Sequence, residues 1–415
     1  MTVSEAAGPV ETAGGGRFGL GPLRQRGVRR VLAAEFVSSL GTQMTTLALP
    51  WFVLVTTGSP ARMGLVFVIQ ILPIALFGLS AGILVARWGA LRITVVGDLA
   101  NAALIASVPL LHIAGLLPFW TLLLIVAGTG TVAAAYLPAQ RLLLSEVVGD
   151  DPSAAMAGNA FFETATSGAR LIGPAVAGGL IGLIGTLNVL WIDAGTFVVS
   201  ALLLLGLPRR AAAAPPESFT GEMKAGVRYM LRDKVIRTLS IAALGYGLLM
   251  PFVLLSLPVL AKVRYDADPH VAGALLAAWG GGTVAGTLVV ATLARRVAPV
   301  VLGSIGGVGV ALPLWLMPLD QPAVTVALAV AASCAFLPAI TAPAITLMTT
   351  RPPEHLRPYV MPVFATAAML AGPLAYAAAG LLFERFRPGP VLLGVAAGAS
   401  LCALLLLSLT RHRAD

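Results

Sequence analysis

Asn159, Glu163, Thr166 and Arg170 put an acid and a base on one face of a run, residues 156–179, that is otherwise apolar enough to cross a bilayer. Steps of four, three and four residues keep returning to the same side of a helix. A transmembrane helix needs about 20 mostly apolar residues, and an ionised side chain near its middle costs about 3 kcal/mol on insertion scales, so such charges mark an ion pathway, a substrate site or a buried pair. The chemistry open to them is proton exchange, because a membrane-embedded carboxyl group whose basic partner changes between states can load and release a proton near neutral pH. Glu163 lies about 10 Å from Arg170 along such a helix, at 1.5 Å per residue. Arg141 is its other available partner. The same charges also fit a static ion-pair network stitching neighbouring spans together.

The remaining embedded acids, Glu35, Asp98 and Asp193, are likewise confined to the first half of the chain. Glu35 heads a polar stripe, Glu35, Ser39, Thr42 and Thr46, that would line a cavity if its helix faced one. It also stands about one turn from Arg30, which fits an interfacial acid equally well. Glu163, Arg170, Glu35 and Arg141 are therefore the proton-coupling candidates, with Asp98 and Asp193 read as structural. The four histidines sit in loops, span ends or the tail, so proton exchange has to use a carboxylate. Thr129, Tyr136 and Gln140 share a helix face and, with Thr42, are candidates for hydrogen bonds to a substrate. The second half offers apolar and aromatic groups, Tyr246, Phe252, Trp279, Phe336, Met361 and Phe364. Most of these are ordinary helix packing, with Tyr246 and Phe336 kept as cavity candidates.

These residues sit in a chain of 415 residues that is 58% hydrophobic and 11% charged, with a mean hydropathy of +0.92, which excludes an ordinary soluble domain. Cys334 and Cys402 each lie alone in an apolar run, so neither a disulfide framework nor a thiolate metal site is implied. The net charge of +9 is a topology signal rather than a nucleic-acid footprint. With the N-terminus inside, the external segments hold just Arg62, Lys262, Arg264, Arg385 and Arg387, and nearly all other basic residues are cytoplasmic.

Apolar runs punctuated by Gly, Pro and charge predict twelve spans, near 31–56, 61–86, 92–114, 118–145, 154–184, 187–207, 235–262, 270–294, 298–318, 322–349, 359–384 and 388–410. Tails at 1–30 and 411–415 are then cytoplasmic. Residues 208–234 form a longer cytoplasmic linker, whose second part carries Met223, Val227 and Met230 as one stripe with Lys224, Arg228 and Arg232 off it. A basic amphipathic helix of this kind lies on a membrane surface. The linker separates two six-span bundles, 31–207 and 235–410, which repeat. Tyr136-Leu137-Pro138-Ala139 recurs as Phe336-Leu337-Pro338-Ala339, and Gly173-Pro174 recurs as Gly372-Pro373, at nearly the same offset. Internal repeats of this kind are typical of secondary transporters.

This arrangement resembles the major facilitator superfamily from Arg29 to Arg411. Residues 33–64, 137–148, 168–182 and 190–204 are similar to the macrolide-efflux and enterobactin-exporter-like permeases. The run Gly173-Pro174-x-x-x-Gly178 resembles the antiporter motif of facilitator exporters, with looser glycine spacing. The loop from Gly82 to Arg92, GILVARWGALR, resembles the family's gating loop through Gly82, Arg87, Gly89 and Arg92, but carries Ala86 where the family has an aspartate. Asp98, further into span three, is the candidate substitute.

The resemblance implies an all-helical protein of two pseudo-symmetric six-helix bundles in the bacterial cytoplasmic membrane. It further implies a secondary transporter, not an enzyme, exporting small amphipathic compounds by alternating access in exchange for protons. A monomer without cofactor or metal is expected. A proton-independent permease or importer, and a non-transporting receptor or scaffold, remain the alternatives. The glycine runs Gly128-Thr129-Gly130 and Gly303 to Gly309 lie within apolar spans, so they read as helix packing rather than nucleotide loops.

Overall fold

The computed structural model describes residues 23, 25–149, 151–207, 223–294 and 296–411. Most of the expected tails and the first part of the linker, 208–222, lie outside the described residues. Thirteen α-helices are described: α1 Arg26–Thr57, α2 Pro60–Trp88, α3 Ala90–Ile113, α4 Phe119–Val148, α5 Pro152–Ile184, α6 Thr186–Leu204, α7 Met223–Arg232, α8 Lys234–Arg264, α9 Pro269–Leu293, α10 Pro299–Leu314, α11 Ala323–Thr350, α12 Arg357–Arg385 and α13 Pro388–Arg411. Among the described residues, ten of these are long and apolar enough to cross a membrane. The shorter apolar α10 and the polar-striped α1 bring the bundle to twelve.

Short polar caps start the helices and single glycines turn them. Ser59, Asp151 and Asp268 each cap a helix whose first residue is proline, a position where the missing N–H costs nothing. Gly89, at φ +81°, is the one residue between α2 and α3, and Gly185, at φ +84°, does the same between α5 and α6. A side chain would strain both turns.

Within the first half α1 packs on α5 and α6, α2 on α4, and α3 on α4 and α6. In the second half α9 and α10 pack on α11, and α13 on α8 and α10. The repeated tetrapeptide has a packing counterpart on each side. A Cβ on Gly97 of α3 would meet the Tyr136 ring at 2.6 Å, and one on Gly309 of α10 would run into the Phe336 ring. Each aromatic therefore rests on a neighbouring glycine. The second repeated pair is not matched in this way, since Gly173 is pressed against Gln43 whereas Gly372 has nothing within 4 Å.

The two halves meet through α5 against α9 and α2 against α12. A Cβ on Gly178 would lie 2.8 Å from the Gly273 Cα, and one on Gly64 would lie 2.9 Å from the Gly380 Cα. Small residues are what let two backbones approach so closely. Both contacts lie toward the end of the bundle that carries the α1–α2 and α8–α9 turns. The opposite end carries Arg87, Arg92, Arg141, Arg237 and Arg351, and is called the basic end below.

At the basic end Tyr229 and Met230 of α7 pack against Ile236, Met348 and Val360. Val227 stays exposed. The amphipathic helix thus rests one side on protein, where sequence pattern alone assigned its apolar stripe to a membrane surface.

Candidate functional site

A cavity of about 510 Å³ opens between α1, α2, α3, α4, α5 and α6. Among the described residues, every group lining it belongs to the first half. Its polar wall includes Glu35, Ser39, Thr42 and Gln43 of α1, Gln70 of α2, Asn101 of α3 and Asp193 of α6, with Thr129, Tyr136 and Gln140 of α4. Ile71, Ile74, Ile105, Val108, Ile125 and Phe197 supply apolar surface. Arg141 and Arg170 also reach it.

Glu35 is buried in that wall and ties three helices together. Its Oε1 accepts from Ser39 Oγ at 2.6 Å and from Thr166 Oγ1 of α5 at 3.4 Å, and its Oε2 accepts from Gln140 Nε2 of α4 at 2.6 Å. All three donors are neutral. Among the described residues no Lys or Arg nitrogen lies within 4 Å of its carboxylate. A carboxyl group so placed can take up or lose a proton without breaking an ion pair.

Glu163 differs. It pairs with Arg141 at 2.7 Å, both side chains being more than half exposed, and it is not among the groups lining the cavity. Arg170, expected to share a face with it, makes no ion pair among the described residues and lies instead on the cavity wall. The acid that sequence spacing favoured is therefore half exposed and ion-paired, whereas Glu35, like Asp98 and Asp193, is buried.

Asp98 is completely buried, two turns into α3. Its Oδ1 accepts from Tyr136 OH at 2.5 Å and its Oδ2 from Ser200 Oγ of α6 at 2.7 Å. Its oxygens thus face α4 and α6 and not the loop arginines, so it does not stand in for the aspartate missing at Ala86. In that loop Arg92 stacks over Trp88, 5.5 Å from the ring centre, and Gly89 makes the turn. Asp193 accepts from Thr45 and Thr196 and also lines the cavity.

The second-half cavity candidates fall elsewhere. Tyr246 is buried, its hydroxyl donating to Gly307 O at 2.8 Å and Ala399 O at 3.0 Å, so it locks α8 to α10 and α13. Phe336 covers Gly309. Phe252 and Trp279 pack on the main apolar core, and Met361 and Phe364 on the smaller cluster around Ile236. The apolar wall expected from the second half is supplied by isoleucines and Phe197 of the first.

Sequence reading missed Asn101, Gln70 and Ser200. Asn101 was within reach, since Thr94, Asp98, Asn101 and Ile105 follow steps of four, three and four along one face of α3.

Two bundles of membrane-spanning helices, the first enclosing a polar cavity, define a multi-pass membrane transporter of the major facilitator type. A family model described as transmembrane secretion effector matches residues 18–412, and the chain belongs to that family. The chain is 29% identical over 366 residues to the multidrug efflux pump Tap of Mycolicibacterium fortuitum, covering 85% of this chain and 88% of that protein. It is 28% identical over 379 residues to Tap of Mycobacterium tuberculosis, covering 85% and 86%. Among solved structures, the nucleoside transporter NupG matches with a TM-score of 0.71 at 16% identity, covering 92% of this chain and 98% of that one. A bacterial homologue of the lysosomal transporter Spinster, inward-facing and unoccupied, matches with a TM-score of 0.69 at 15% identity, covering 94% and 96%. These last two show the fold.

Proposed function

We propose that this protein exports small amphipathic compounds across the bacterial cytoplasmic membrane by alternating access, in exchange for protons. The observation that carries the reading is Glu35, buried without a basic partner in the wall of a cavity of about 510 Å³. That volume falls in the range of small-molecule sites, about 300–1,000 Å³. The relatives named as multidrug efflux pumps supply the direction of transport.

The basic end is cytoplasmic, by the distribution of Lys and Arg, and both termini with it. The halves 31–207 and 235–410 rock about contacts such as Gly178 with Gly273, with residues 208–234 as the joint. Cargo binds against Tyr136, Gln140 and Thr42, amphipathic molecules suiting a wall with both carboxylates and isoleucines. A proton on Glu35 alternates with cargo, the carboxylate being held in the meantime by Ser39, Gln140 and Thr166.

The test is ethidium efflux from cells expressing the wild type, Glu35→Gln or Glu163→Gln at equal membrane levels, with and without a protonophore. Wild-type efflux is expected to stop with the protonophore, Glu35→Gln to fail without it, and Glu163→Gln to keep protonophore-sensitive efflux. Wild-type efflux indifferent to the protonophore would remove proton exchange from the reading.

A further inference from the structure

Beside Glu35 lies a second and much smaller cavity of about 10 Å³, which shares Glu35, Gln140 and Phe162 with the large one. Its polar lining is Glu35, Gln140, Thr94 and Ser200, and the rest is apolar, including Val31 and Phe162. That space corresponds to a single water molecule, which needs two to four polar partners to be held. The four polar side chains are all buried.

Their hydrogens are already directed. Ser200 Oγ donates to Asp98 Oδ2 at 2.7 Å, and Thr94 Oγ1 donates to Ala90 O at 2.9 Å. Each hydroxyl oxygen therefore faces the small cavity with lone pairs and no hydrogen to give. A water there donates to both oxygens and accepts from Glu35 when Glu35 is protonated. Asp98 stands one bond further on, and the exchange step proposed above leaves it unused.

We propose that this cavity holds one structural water that joins Glu35 to Ser200, and that Asp98 is a second proton store reached through it. The step balances in place. The proton on Glu35 passes to the water oxygen, the water gives one of its hydrogens to Ser200 Oγ, and Ser200 gives its own to Asp98 Oδ2. Glu35 is left a carboxylate, Asp98 becomes the acid, and water and serine are re-formed. Tyr136 donates to Asp98 Oδ1 throughout. The titratable and charged groups facing this pair are Arg141 and Tyr136 from α4 and Glu163 from α5, while α6 contributes Ser200. Sending the proton to Asp98 leaves Glu35 charged toward the large cavity while cargo occupies it.

The relay rests on the proton-exchange reading, and the experiment separates the two. Purified full-length protein in liposomes is assayed for ethidium transport with and without an imposed pH gradient, over a series of pH values, as wild type, Asp98→Asn, Ser200→Ala and Ser200→Thr. Asp98→Asn and Ser200→Ala are expected to lower the gradient-stimulated rate by roughly tenfold or more and to flatten the pH profile, since losing a positioned proton-transfer group typically costs at least that. Ser200→Thr, which keeps the hydroxyl, is expected to restore the wild-type profile. If Asp98→Asn does not fold, judged by its elution and thermal unfolding in detergent, the two Ser200 variants carry the comparison. Wild-type stimulation in both Asp98→Asn and Ser200→Ala overturns the relay alone, as does a Ser200→Thr profile that stays flat. A wild type indifferent to the gradient overturns proton exchange and the relay with it.

Discussion

Glu384 of α12 caps a helix in the other half of the molecule through Ser59: its Oε2 lies 2.8 Å from Ser59 Oγ and 3.1 Å from the Ala61 backbone nitrogen. A carboxylate at a helix N-terminus meets free N–H groups and the positive end of the helix dipole. Across the same turn Lys262 of α8 donates to Leu54 O at 2.9 Å, near the C-terminus of α1, where the dipole is negative. Two charges of the second half thus act with the right sign on both ends of one turn of the first. Phe67 and Tyr376 stack just below, centres 4.7 Å apart.

If these contacts hold this end shut, Glu384→Ala should loosen it. Loss of a cap costs about 0.5–2 kcal/mol, and 1.4 kcal/mol is tenfold in population. In the orientation proposed above, Thr42→Cys, on the cavity wall, should then react about tenfold faster with a membrane-impermeant maleimide added from outside. The native Cys334 and Cys402 are buried and leave the background low. An unchanged labelling rate would mean that the contact does not govern closure.

The glycines of the other inter-half contact, between α5 and α9, set a steric limit. A Cβ on Gly178 would lie 2.7 Å from Pro269 O and 2.8 Å from the Gly273 Cα, both backbone atoms that cannot swing aside. Gly178→Leu should therefore push α5 off α9, costing about 1–3 kcal/mol as overpacking does, and abolish ethidium efflux. Gly179, the next residue, has nothing within 4 Å, and Gly179→Ala should change thermal stability by no more than about 0.5 kcal/mol. Thermal unfolding in detergent alongside efflux separates the two, and equal effects would contradict the contact geometry.

Glu163 and Glu35 should respond differently to neutralisation. Exposed ion pairs are worth about 0.2–1 kcal/mol, so Glu163→Gln should leave stability nearly unaltered. Glu35→Gln places an amide opposite the Gln140 amide donor that now serves a carboxylate, and leaves a buried donor poorly matched at a cost of about 1–3 kcal/mol. The same unfolding assay should show the larger loss for Glu35→Gln, and the reverse order would mean that the pair with Arg141 is the structural one.

That contrast shows how much of the site was legible. The cavity-wall positions of Thr42, Thr129, Tyr136 and Gln140 follow from helical spacing, because spacing fixes which groups share a face, and Arg141 was one of two partners offered for Glu163. Which face meets protein depends on neighbouring helices, and spacing alone does not fix that. Glu163 and Arg170 share a stripe, yet one ends at an exposed edge and the other on the cavity wall. Tyr246 and Phe336 read as cavity groups by type, but their partners, Gly307, Ala399 and Gly309, are remote in sequence. Asp98 looked like a gate substitute because it follows the loop. Its bonds to Tyr136 and Ser200 belong to helices that the loop does not reveal.

Asp233 caps α8 at the basic end, accepting from the backbone of Val235 at 3.0 Å and Ile236 at 2.9 Å, and from Arg351 Nε of α11 at 2.9 Å. Partial burial pushes its carboxyl group up, but the Ile236 N–H, the Arg351 guanidinium and the Val235 N–H outweigh this and hold it below the ordinary carboxylate value. A folded-state value below the unfolded one gives stability that is complete above the unfolded value, about 3.9, and lost as pH falls through the folded value. Asp233→Asn keeps a capping oxygen and removes the charge. The wild type should therefore unfold at a higher temperature than Asp233→Asn at about pH 6, and the gap should narrow as the pH is lowered below about 3.9. A gap that stays constant with pH would assign the difference to packing instead of charge, and the bond between α8 and α11 would then be a neutral cap with an idle arginine beside it.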